Sequence, residues 1–463
     1  MHRALFQSAD ITAAIGGTRI AGDGRSPLLG VSIDTRTIRP RELYVAIHGK
    51  RLDGHDFLQE AFSKGAAGAV VDRWPVKGFT VPGGVEIWQV QDTLAALGNL
   101  AAFHRRRFDV PVIAVTGSAG KTTTKGMLAH ILSQRLRVLA TEGTQNNLIG
   151  VPLNLLKLRA EHQAVVLELG TNQWGEIRSL TRIAKPTIGV VTNIGYAHLE
   201  TFGDLHGVLK AKGELWETMK PTASLVLNAE DPLLLEAGVR LSHRLIWFGN
   251  HADSAVRAEK VQLTAAGSVS FINGVWRMHL PVPGRHNLMN ALAALAAAQA
   301  TGIPLEQAAG RLESFQPVPG RVSLTQQGGF LVIDDSYNAN PTSLRAALEV
   351  FRQTVCTGRR IAVIGDMLEL GRQAESFHQQ AGVWVKEADA DFLMTVGSLS
   401  RHTAAAARSA GMPTERVISF DDVEQAKEFL EELIRPGDAL LVKGSRAMRM
   451  ERILLCSITS SIH

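Results

Sequence analysis

Cysteine and aromatic residues are scarce in this sequence of 463 residues, which contains two cysteines and 6% aromatic residues. Cys356 and Cys456 lie far apart in the chain and form neither a CxxC pair nor another spacing typical of metal ligands. The cysteine content therefore excludes a disulfide scaffold and a cysteine-based zinc site, and it fits a protein of a reducing compartment.

Long apolar runs and blocks of like charge are missing as well. No apolar run approaches the roughly 18 residues of a membrane span, and Arg3 and Asp10 interrupt the segment where a signal peptide would be apolar. The densest charged run, Arg105–Arg107, is interpreted as a solvated helix end. The formal net charge of +5 is mild and is compatible with anionic substrates. We expect a cytoplasmic monomer that acts on small molecules, without a membrane span or a nucleic-acid partner.

The length exceeds the roughly 250 to 300 residues at which one hydrophobic core stops growing, so two or three domains are expected. A small α/β unit is indicated by the strands "LYVAIHG" and "AGAVVD" around the helical "HDFLQEAFSKGA". The strands "VIAVTG", "AVVLEL" and "TIGVVT" alternate with helical stretches, which is typical of a parallel sheet. Asn273-Gly274 predicts an antiparallel hairpin, and "FLVIDD", "RIAVIGD", "DFLMTVG" and "ALLVKGS" predict a further α/β domain after the breakers of "FQPVPGR".

A glycine-rich loop follows the strand "PVIAVTG" and precedes a helical stretch. Its residues are Gly117, Ser118, Ala119, Gly120, Lys121, Thr122 and Thr123. In such a loop backbone N–H groups point at phosphates, the lysine reaches the terminal phosphates, and the hydroxyl after it can ligate Mg²⁺. Val115 stands where the longer form of the motif has its first glycine, so this is the short GxxGKT form. The loop predicts ATP or GTP binding, against the alternative of a chance helix-capping turn.

Two polar residues follow apolar strands and are candidate metal ligands. Glu168 ends the strand "AVVLEL", and His198 comes shortly after "TIGVVTNIG". Ligands gather at the carboxyl ends of parallel strands, so Glu168 is placed to reach a Mg²⁺ held by Thr122. The alternatives are that Glu168 caps the next helix and that His198 is a structural histidine.

Lys212 has an unusual position on a predicted helix that begins at the N-cap Asp204. The apolar residues of this helix follow i, i+3, i+4 spacing, and Lys212 falls on the same stripe. A buried lysine loses charge because desolvation lowers its pKa, and CO₂ adds to a neutral amine to give a carbamate. The periodicity supports two interpretations equally: Lys212 is buried and carbamylated, or its side chain extends to the solvent edge of the stripe.

Eleven motifs in order make the chain resemble the Mur ligase family over nearly its whole length. They are "SIDTRTI" with "DGHDF", "GSAGKTTTK", "NNLIGVPLNLL", "ELGTNQWGEI", "TNIGYAHLETFG", "AKGE", "PGRHNLMNALAA", "PVPGR", "DDSYNANP", "GDMLELG" and "LVKGSR". The resemblance implies an α/β protein of three domains. These are a UDP-substrate domain over 1–88, a central P-loop ATPase-type domain over 89–317 with a mostly parallel sheet, and a Rossmann-like ligase domain over 318–463.

The resemblance also implies site residues. Uridine diphosphate would contact Ser32, Asp34, Thr35 and Arg36. Nucleotide would contact the glycine loop together with Asn287, Asn290, Arg321 and Asp335. Two Mg²⁺ would be held by Thr122, Glu168, His198 and a carbamylated Lys212. Further substrate contacts would come from Asn146, Asn147, Tyr337, Asn338, Asn340, Lys443, Ser445 and Arg446. For three of these positions the alternatives are a helix cap at Asn287, a surface charge at Arg321 and a turn at Asp335.

The function that the resemblance implies is ATP-dependent amide-bond formation through an acyl-phosphate. "DDSYNANP" and "GDMLELG" resemble the branch of the family that adds D-alanyl-D-alanine to UDP-N-acetylmuramoyl-tripeptide. The alternatives are another Mur ligase, a folylpolyglutamate synthase-like ligase, or a P-loop ATPase that drives movement. The third residue of the tripeptide is left open.

Overall fold

The computed structural model describes residues 4–49, 51–74 and 80–454. Cys356 is free, and Cys456 lies outside the described residues. The chain forms two compact units, the first made of 1–114, 137–170 and 178–186, and the second of 115–136, 171–177 and 187–463. The described residues form four β-sheets with helices, so the predicted α/β class is confirmed. The predicted domain boundaries at 88 and 317 stay predictions.

The first sheet lies in the first unit. Its strands are β1 (Thr18–Ala21), β2 (Gly30–Ser32), β3 (Glu42–Val45), β4 (Gly68–Val71) and β5 (Glu86–Gln89), and its helices are α1 (Ser8–Ile15), α2 (Leu58–Ser63) and α3 (Thr93–Arg105). The strand order is β1-β5-β4-β3-β2, and all neighbours are parallel except β1 and β5. The predicted helix after β3 is split, because the Asp53 side chain accepts from His55 N–H and starts a 3-10 turn before α2.

The second sheet carries the glycine loop. Its strands are β6 (Val112–Thr116), β7 (Val138–Ala140), β8 (Ala164–Glu168), β9 (Ile188–Val191), β10 (Ser224–Asn228) and β11 (Arg244–Phe248), in the order β11-β10-β9-β6-β8-β7. The helices of this region are α4 (Lys121–Leu132), α5 (Gly150–Leu155), α6 (Glu176–Ala184), α7 (Leu199–Phe202), α8 (Leu205–Thr218) and α9 (Pro232–Gly238). The division between the two units falls within β6.

The third sheet is the predicted antiparallel excursion, formed by β12 (Ala258–Thr264), β13 (Gly267–Ile272) and β14 (Trp276–Leu280). Asn273 and Gly274 both have positive φ, 52° and 74°, at the turn between β13 and β14. The hairpin prediction is therefore confirmed. Two helices follow, α10 (Arg285–Ala300) and α11 (Leu305–Arg311), and α10 packs against α4.

The fourth sheet contains all four strands predicted for the last α/β region. Its strands are β15 (Ser323–Gln327), β16 (Phe330–Asp335), β17 (Arg360–Gly365), β18 (Phe392–Val396), β19 (Val417–Phe420) and β20 (Ala439–Lys443), in the order β15-β16-β20-β17-β18-β19. Its helices are α12 (Pro341–Gln353), α13 (Ala374–Glu387), α14 (Ser400–Ser409) and α15 (Val423–Leu433). The edge strands β15 and β19 are short and partly polar, which hid them in the sequence.

Short 3-10 helices complete the secondary structure, at Gly54–Phe57, Leu312–Ser314, Gly371–Gln373, Thr414–Arg416, Arg446–Met448 and Met450–Ile453. Within the ranges that the structure describes, no helix combines the length and the apolar character needed to cross a membrane.

Helix α8 buries a lysine on its apolar face. Asp204 caps the helix, its side chain accepting from the N–H of Gly207 at 2.8 Å, as the sequence predicted. The exposed fraction of Lys212 is 2%, so the side chain does not extend to the solvent edge of the stripe. Burial, followed by the charge of Lys121, holds the pKa of Lys212 well below its usual value. The folded protein thus favours a neutral amine at this position.

We expect Lys212→Met to raise thermal stability. The folded pKa lies below that of the unfolded chain, so at neutral pH the unfolded state binds the proton more tightly and burial of the amine opposes folding. A methionine of similar length removes this cost. In metal-free, CO₂-depleted buffer at pH 7 the Tm should rise by about 2–4 °C, the shift that ~1 kcal/mol produces in larger domains.

The exposed Lys210 of the same helix gives the matched control, since Lys210→Met should leave the Tm nearly unchanged. The difference in Tm between Lys212→Met and the parent chain should become smaller as the pH approaches about 10.4, where the lysine of the unfolded chain also loses its proton. A Tm below that of the parent at pH 7 would show that the amine stabilises the fold.

Candidate functional site

The glycine loop between β6 and α4 has a backbone that only glycine accommodates at two positions. Gly117 has φ 146° and Gly120 has φ 80°. A Cβ on Gly117 would lie 1.9 Å from Thr192 Oγ1, and a Cβ on Gly120 would lie 2.1 Å from Asn290 Oδ1. Both glycines are therefore required by close approach as well as by conformation.

Hydrogen bonds from the segment after β9 hold the loop in place. The N–H of Ser118 donates to Asn193 O at 3.1 Å, and the N–H of Ala119 donates to Asn193 Oδ1 at 3.0 Å. Ser118 Oγ donates to Gly195 O at 3.0 Å, and Thr192 Oγ1 donates to Ala119 O at 2.6 Å. Hydrogen bonds within the protein thus fix the shape of the loop. Asn193 was missed at the sequence level because its partners are distant in the chain.

The first turn of α4 presents the groups that a triphosphate needs. Lys121 begins the helix and its Nζ donates to Gly117 O at 2.8 Å, so the ammonium lies over the loop. Thr122 and Thr123 follow and are buried. A helix leaves the N–H groups of its first turn without intrahelical partners, and its dipole favours anions there. The donor set fits a nucleotide phosphate chain.

Asn287 and Asn290 lie on α10, which packs against α4. Gly284 is the N-cap of α10, so the alternative that Asn287 caps this helix is wrong. Asn287 Nδ2 donates to Pro283 O at 2.8 Å, and Asn290 Nδ2 donates to Asn287 Oδ1 at 3.1 Å. Both asparagines are buried, and the close approach of Asn290 to Gly120 places the pair at the base of the glycine loop.

Arg321 and Asp335 come from the segment around β16. Arg321 NH2 donates to Thr122 Oγ1 at 3.4 Å, and its guanidinium lies 4.1 Å from the centre of the Tyr337 ring. Arg321 is therefore not a free surface charge. Asp335 ends β16 directly before a turn at Ser336 and Tyr337, and Lys443 Nζ donates to its Oδ2 at 2.5 Å. Burial raises the pKa of Asp335 and lowers the pKa of Lys443, while the charge of each partner opposes both shifts.

The two C-terminal motifs that were predicted to bind substrate meet one another. Lys443 Nζ also donates to Asn338 O at 2.9 Å, and the N–H of Arg446 donates to Asn338 Oδ1 at 3.1 Å. Ser445 Oγ donates to the carbonyl before Asn340 at 3.4 Å. Asn340 is the N-cap of α12, and its Nδ2 lies 3.5 Å from Ser118 O as a donor. This brings "DDSYNANP" and "VKGSR" together beside the glycine loop.

His198 and Lys212 are the predicted metal-site residues of the second unit. His198 is the N-cap of α7 with a left-handed backbone, φ 55° and ψ 36°, and its Nδ1 lies 2.6 Å from Glu369 Oε2. Lys212 is buried within Coulombic reach of Lys121. A hydroxyl at Thr122, an imidazole and a neutral amine able to become a carbamate are donors that a divalent cation accepts.

Three predicted residues lie in the first unit around β8. Glu168 ends β8 and is buried, and its Oε1 accepts from Asn146 Nδ2 at 2.7 Å. The next helix, α6, begins eight residues later at Glu176, so Glu168 is not its cap. Asn147 Oδ1 accepts from the N–H groups of Ile149 and Gly150 at 3.1 and 2.8 Å, which starts α5.

The predicted uridine-diphosphate residues follow β2 and form a local network. Arg36 pairs with Asp34 at 2.6 Å, and the Asp34 N–H donates to Ser32 Oγ at 3.2 Å. Lys64 Nζ donates to Thr35 O at 2.9 Å. The hydrogen bond from Arg36 lowers the pKa of Asp34 to about 2, so this carboxylate stays ionised. The exposed Arg36 and the Thr35 turn offer polar donors at the carboxyl end of β2.

A histidine cluster that sequence reasoning missed lies at the same edge of the first sheet. Nδ1 of His48 and Nδ1 of His55 lie 3.1 and 2.7 Å from carboxylate oxygens of Asp53, and both Nε2 atoms face Asp72. Such a group can hold a metal ion. Here the Arg73 guanidinium contacts Asp53 and lies 3.4 Å from His48 Nε2, so the protein supplies its own cation.

We expect Gly120→Ala to lose nucleotide binding. An added Cβ would strain a left-handed residue and displace Asn290, which sits against the loop. The Kd for ADP with Mg²⁺, measured by calorimetry, should rise by at least about tenfold, since misplacing one phosphate contact costs ~1.4 kcal/mol or more. Gly310 in α11 has open space around it, so Gly310→Ala should keep the Kd and stabilise the helix. Unchanged affinity in Gly120→Ala would contradict the assigned phosphate loop.

Family models and individual relatives agree on where this chain belongs. The Mur ligase family catalytic domain matches residues 28–105, the Mur ligase middle domain 115–298, and the Mur ligase glutamate ligase domain 320–446. The chain is 38% identical to the UDP-N-acetylmuramoyl-tripeptide--D-alanyl-D-alanine ligase of Escherichia coli, with 92% of each chain covered.

Solved structures give the same relationship. The crystal structure of MurF from Acinetobacter baumannii aligns with a TM-score of 0.88 and 33% identity over 97% of this chain and 98% of that one. The MurF ligase of Thermotoga maritima in complex with ADP aligns with a TM-score of 0.81 and 28% identity, over 92% and 96% of the two chains. The chain belongs to the Mur ligase family, in the branch of the UDP-N-acetylmuramoyl-tripeptide--D-alanyl-D-alanine ligases.

Proposed function

We propose that this chain joins D-alanyl-D-alanine to UDP-N-acetylmuramoyl-tripeptide with ATP, forming the UDP-N-acetylmuramoyl-pentapeptide of peptidoglycan synthesis. The observation that carries the proposal is the internally hydrogen-bonded glycine loop of Gly117–Thr123 beside the joined segments "DDSYNANP" and "VKGSR". A phosphate site next to a group of polar side chains is what a ligase that activates one substrate for a second requires. We propose that the reaction takes place in the cytoplasm and that the enzyme is a monomer.

The chemistry proceeds through an acyl-phosphate. The tripeptide carboxylate attacks the γ-phosphorus of ATP, and ADP leaves as the bond between the β,γ-bridging oxygen and that phosphorus breaks. The amine of D-alanyl-D-alanine then attacks the acyl carbon, loses a proton and expels inorganic phosphate. The first step brings two anions together, so it depends on positioning and charge neutralisation. Lys121, the N-terminus of α4 and Arg321 supply positive charge from the protein.

We assign ATP contacts to residues of the second unit. The loop N–H groups and Lys121 are assigned to the phosphates, and Arg321, which contacts Thr122, is assigned to the same group. Asp335 is assigned to the ribose. Asn287 and Asn290 support the adenine side through their buried hydrogen bonds.

Two magnesium ions are proposed, with Thr122, His198 and a carbamylated Lys212 among their ligands. Bound Mg²⁺ supplies neutralisation of the charge that develops on the transferred phosphoryl group. The low pKa of Lys212 supports the carbamate, because the neutral amine adds to CO₂ with release of one proton. The assignment of Glu168 as a ligand of both Mg²⁺ ions stays a prediction.

Substrate contacts are proposed for two further groups of residues. Ser32, Asp34, Thr35 and Arg36 bind the uridine diphosphate in the first unit, and Asn146 and Asn147 stay predicted substrate contacts. Tyr337, Asn338, Asn340, Lys443, Ser445 and Arg446 shape the dipeptide pocket, where the guanidinium groups of Arg321 and Arg446 both approach the Tyr337 ring. These cations suit the carboxylate of a dipeptide.

An ADP-release assay with a panel of amines tests the proposed function. Purified enzyme with ATP, Mg²⁺ and UDP-N-acetylmuramoyl-tripeptide should release ADP on addition of D-alanyl-D-alanine. It should not respond to single L-amino acids, diaminopimelate or glutamate. Turnover with glutamate would favour a folylpolyglutamate synthase-like activity, and hydrolysis without any amine would favour a P-loop ATPase of another class.

We expect Lys121→Ala to be nearly inactive. Its Nζ donates to Gly117 O, so the ammonium lies at the loop, and loss of one preorganised electrostatic donor typically lowers kcat on the order of 10²- to 10³-fold. The measurement is ADP release at saturating substrates. The exposed Lys210→Met should remain active, and ligation above about a tenth of the parent rate in Lys121→Ala would contradict the assigned role.

We expect Lys212→Ala to be inactive and to regain activity with a short-chain carboxylic acid. The shortened side chain leaves space in a buried site, and the added carboxylate can take the place of the carbamate. Rates are measured with and without acetate or propionate, and circular dichroism checks the fold. If the variant is folded but no added acid restores its activity, the proposed carbamate at Lys212 is wrong.

A further inference from the structure

The imidazole of His198 has a carboxylate partner that lies far away in the sequence. Its Nδ1 is 2.6 Å from Oε2 of Glu369, a separation of 171 residues along the chain. Glu369 belongs to the "GDMLELG" segment after β17, which the sequence connected only with the family branch. Both residues lie in the second compact unit.

The backbone fixes this contact as well as the side chains. The N–H of Glu200, in the first turn of α7, donates to the carbonyl of Glu369 at 3.0 Å. Both His198 and Glu369 have left-handed backbones, with φ of 55° and 63°. Gly371 follows and lies so close that a Cβ there would be 3.0 Å from Cα of Glu200. The segment therefore contacts the start of α7 through its main chain and places the Glu369 carboxylate next to the His198 ring.

A carboxylate on Nδ1 decides which nitrogen of a neutral imidazole carries the proton. An ionised carboxylate can accept hydrogen bonds but cannot donate them. Opposite the Glu369 carboxylate, Nδ1 of a neutral His198 therefore carries the proton, and the lone pair is left on Nε2. Metal-bound histidines commonly show this arrangement, because the outer carboxylate fixes the tautomer, orients the ring and raises its basicity. Removing such partners typically lowers metal affinity or activity by about 10- to 100-fold.

We propose that Glu369 is a positioning residue that presents Nε2 of His198 to a divalent cation. This inference rests on the proposed role of His198 in the magnesium site. The segment "GDMLELG" would then act in the reaction indirectly, because its Glu369 holds the His198 ring in the orientation that binds the cation. Glu369 acts through His198 and contacts no reacting atom.

The tautomer of His198 is the first test, because it needs neither metal nor turnover. In histidine-selective ¹⁵N spectra of the full chain near pH 8, the parent should show His198 protonated on Nδ1, with the signal assigned by its absence in His198→Asn. Glu369→Ala should move the proton toward Nε2, while Glu369→Gln, whose amide oxygen can still accept, should stay near the parent. An unchanged tautomer in Glu369→Ala would overturn the proposal.

Cation binding is the second test, with Mn²⁺ as the probe in the presence of a non-hydrolysable ATP analogue. The Kd of the more weakly bound of the two Mn²⁺ ions, measured by electron paramagnetic resonance, should rise about 10- to 100-fold in Glu369→Ala and less in Glu369→Gln. The Mg²⁺ concentration for half-maximal ligation should rise in parallel. The exposed Glu375→Ala, which removes the same charge nearby, should change neither quantity.

The outcomes separate this inference from the proposed function. If His198→Asn leaves Mn²⁺ binding unchanged, the assignment of His198 as a ligand fails, and the inference fails with it. If His198→Asn loses the ion but Glu369→Ala keeps both Kd and tautomer, the ligase site stands and only the role of Glu369 is overturned. Glu369→Gln, which keeps the size of the side chain, provides the comparison should the alanine variant lose its fold by circular dichroism.

Discussion

The contact between Gly120 and Asn290 is the constraint on which the site depends. The glycine turns the chain from β6 into α4 with a left-handed residue, and its missing side chain lets α10 approach to the base of the loop. The loop is also held by Asn193, so contacts within the protein fix its shape. A site that is fixed in this way spends little binding energy on ordering itself, so more remains for the transition state.

Charge burial is the second theme of the molecule. Lys212 is buried on an apolar helix face, and Asp335 and Lys443 form a buried pair beside the nucleotide loop. Burial penalises the charged form of each of these groups, and each lies at the proposed site of chemistry, which is where perturbed pKa values concentrate in enzymes.

The sequence predicted what depends on neighbours in the chain and missed what depends on distant ones. The glycine loop, the cap at Asp204, the hairpin at Asn273 and the buried strands follow from local patterns, and the structure has them. Periodicity placed Lys212 on the apolar stripe but could not decide between burial and extension to the edge, because that choice depends on what packs over the helix. The partners Asn193 and Glu369 became visible only when strands and loops far apart in the sequence were brought together.

Phosphorylation of the tripeptide carboxylate in this site is the step from which the rest of the proposed reaction follows. The most direct measurement uses UDP-N-acetylmuramoyl-tripeptide labelled with ¹⁸O in its reacting carboxylate, with unlabelled ATP and D-alanyl-D-alanine in ordinary water. Each released phosphate should carry one ¹⁸O from the carboxylate, seen by mass spectrometry or by its ³¹P shift. Phosphate without the label, formed together with the ligated product, would rule out the acyl-phosphate.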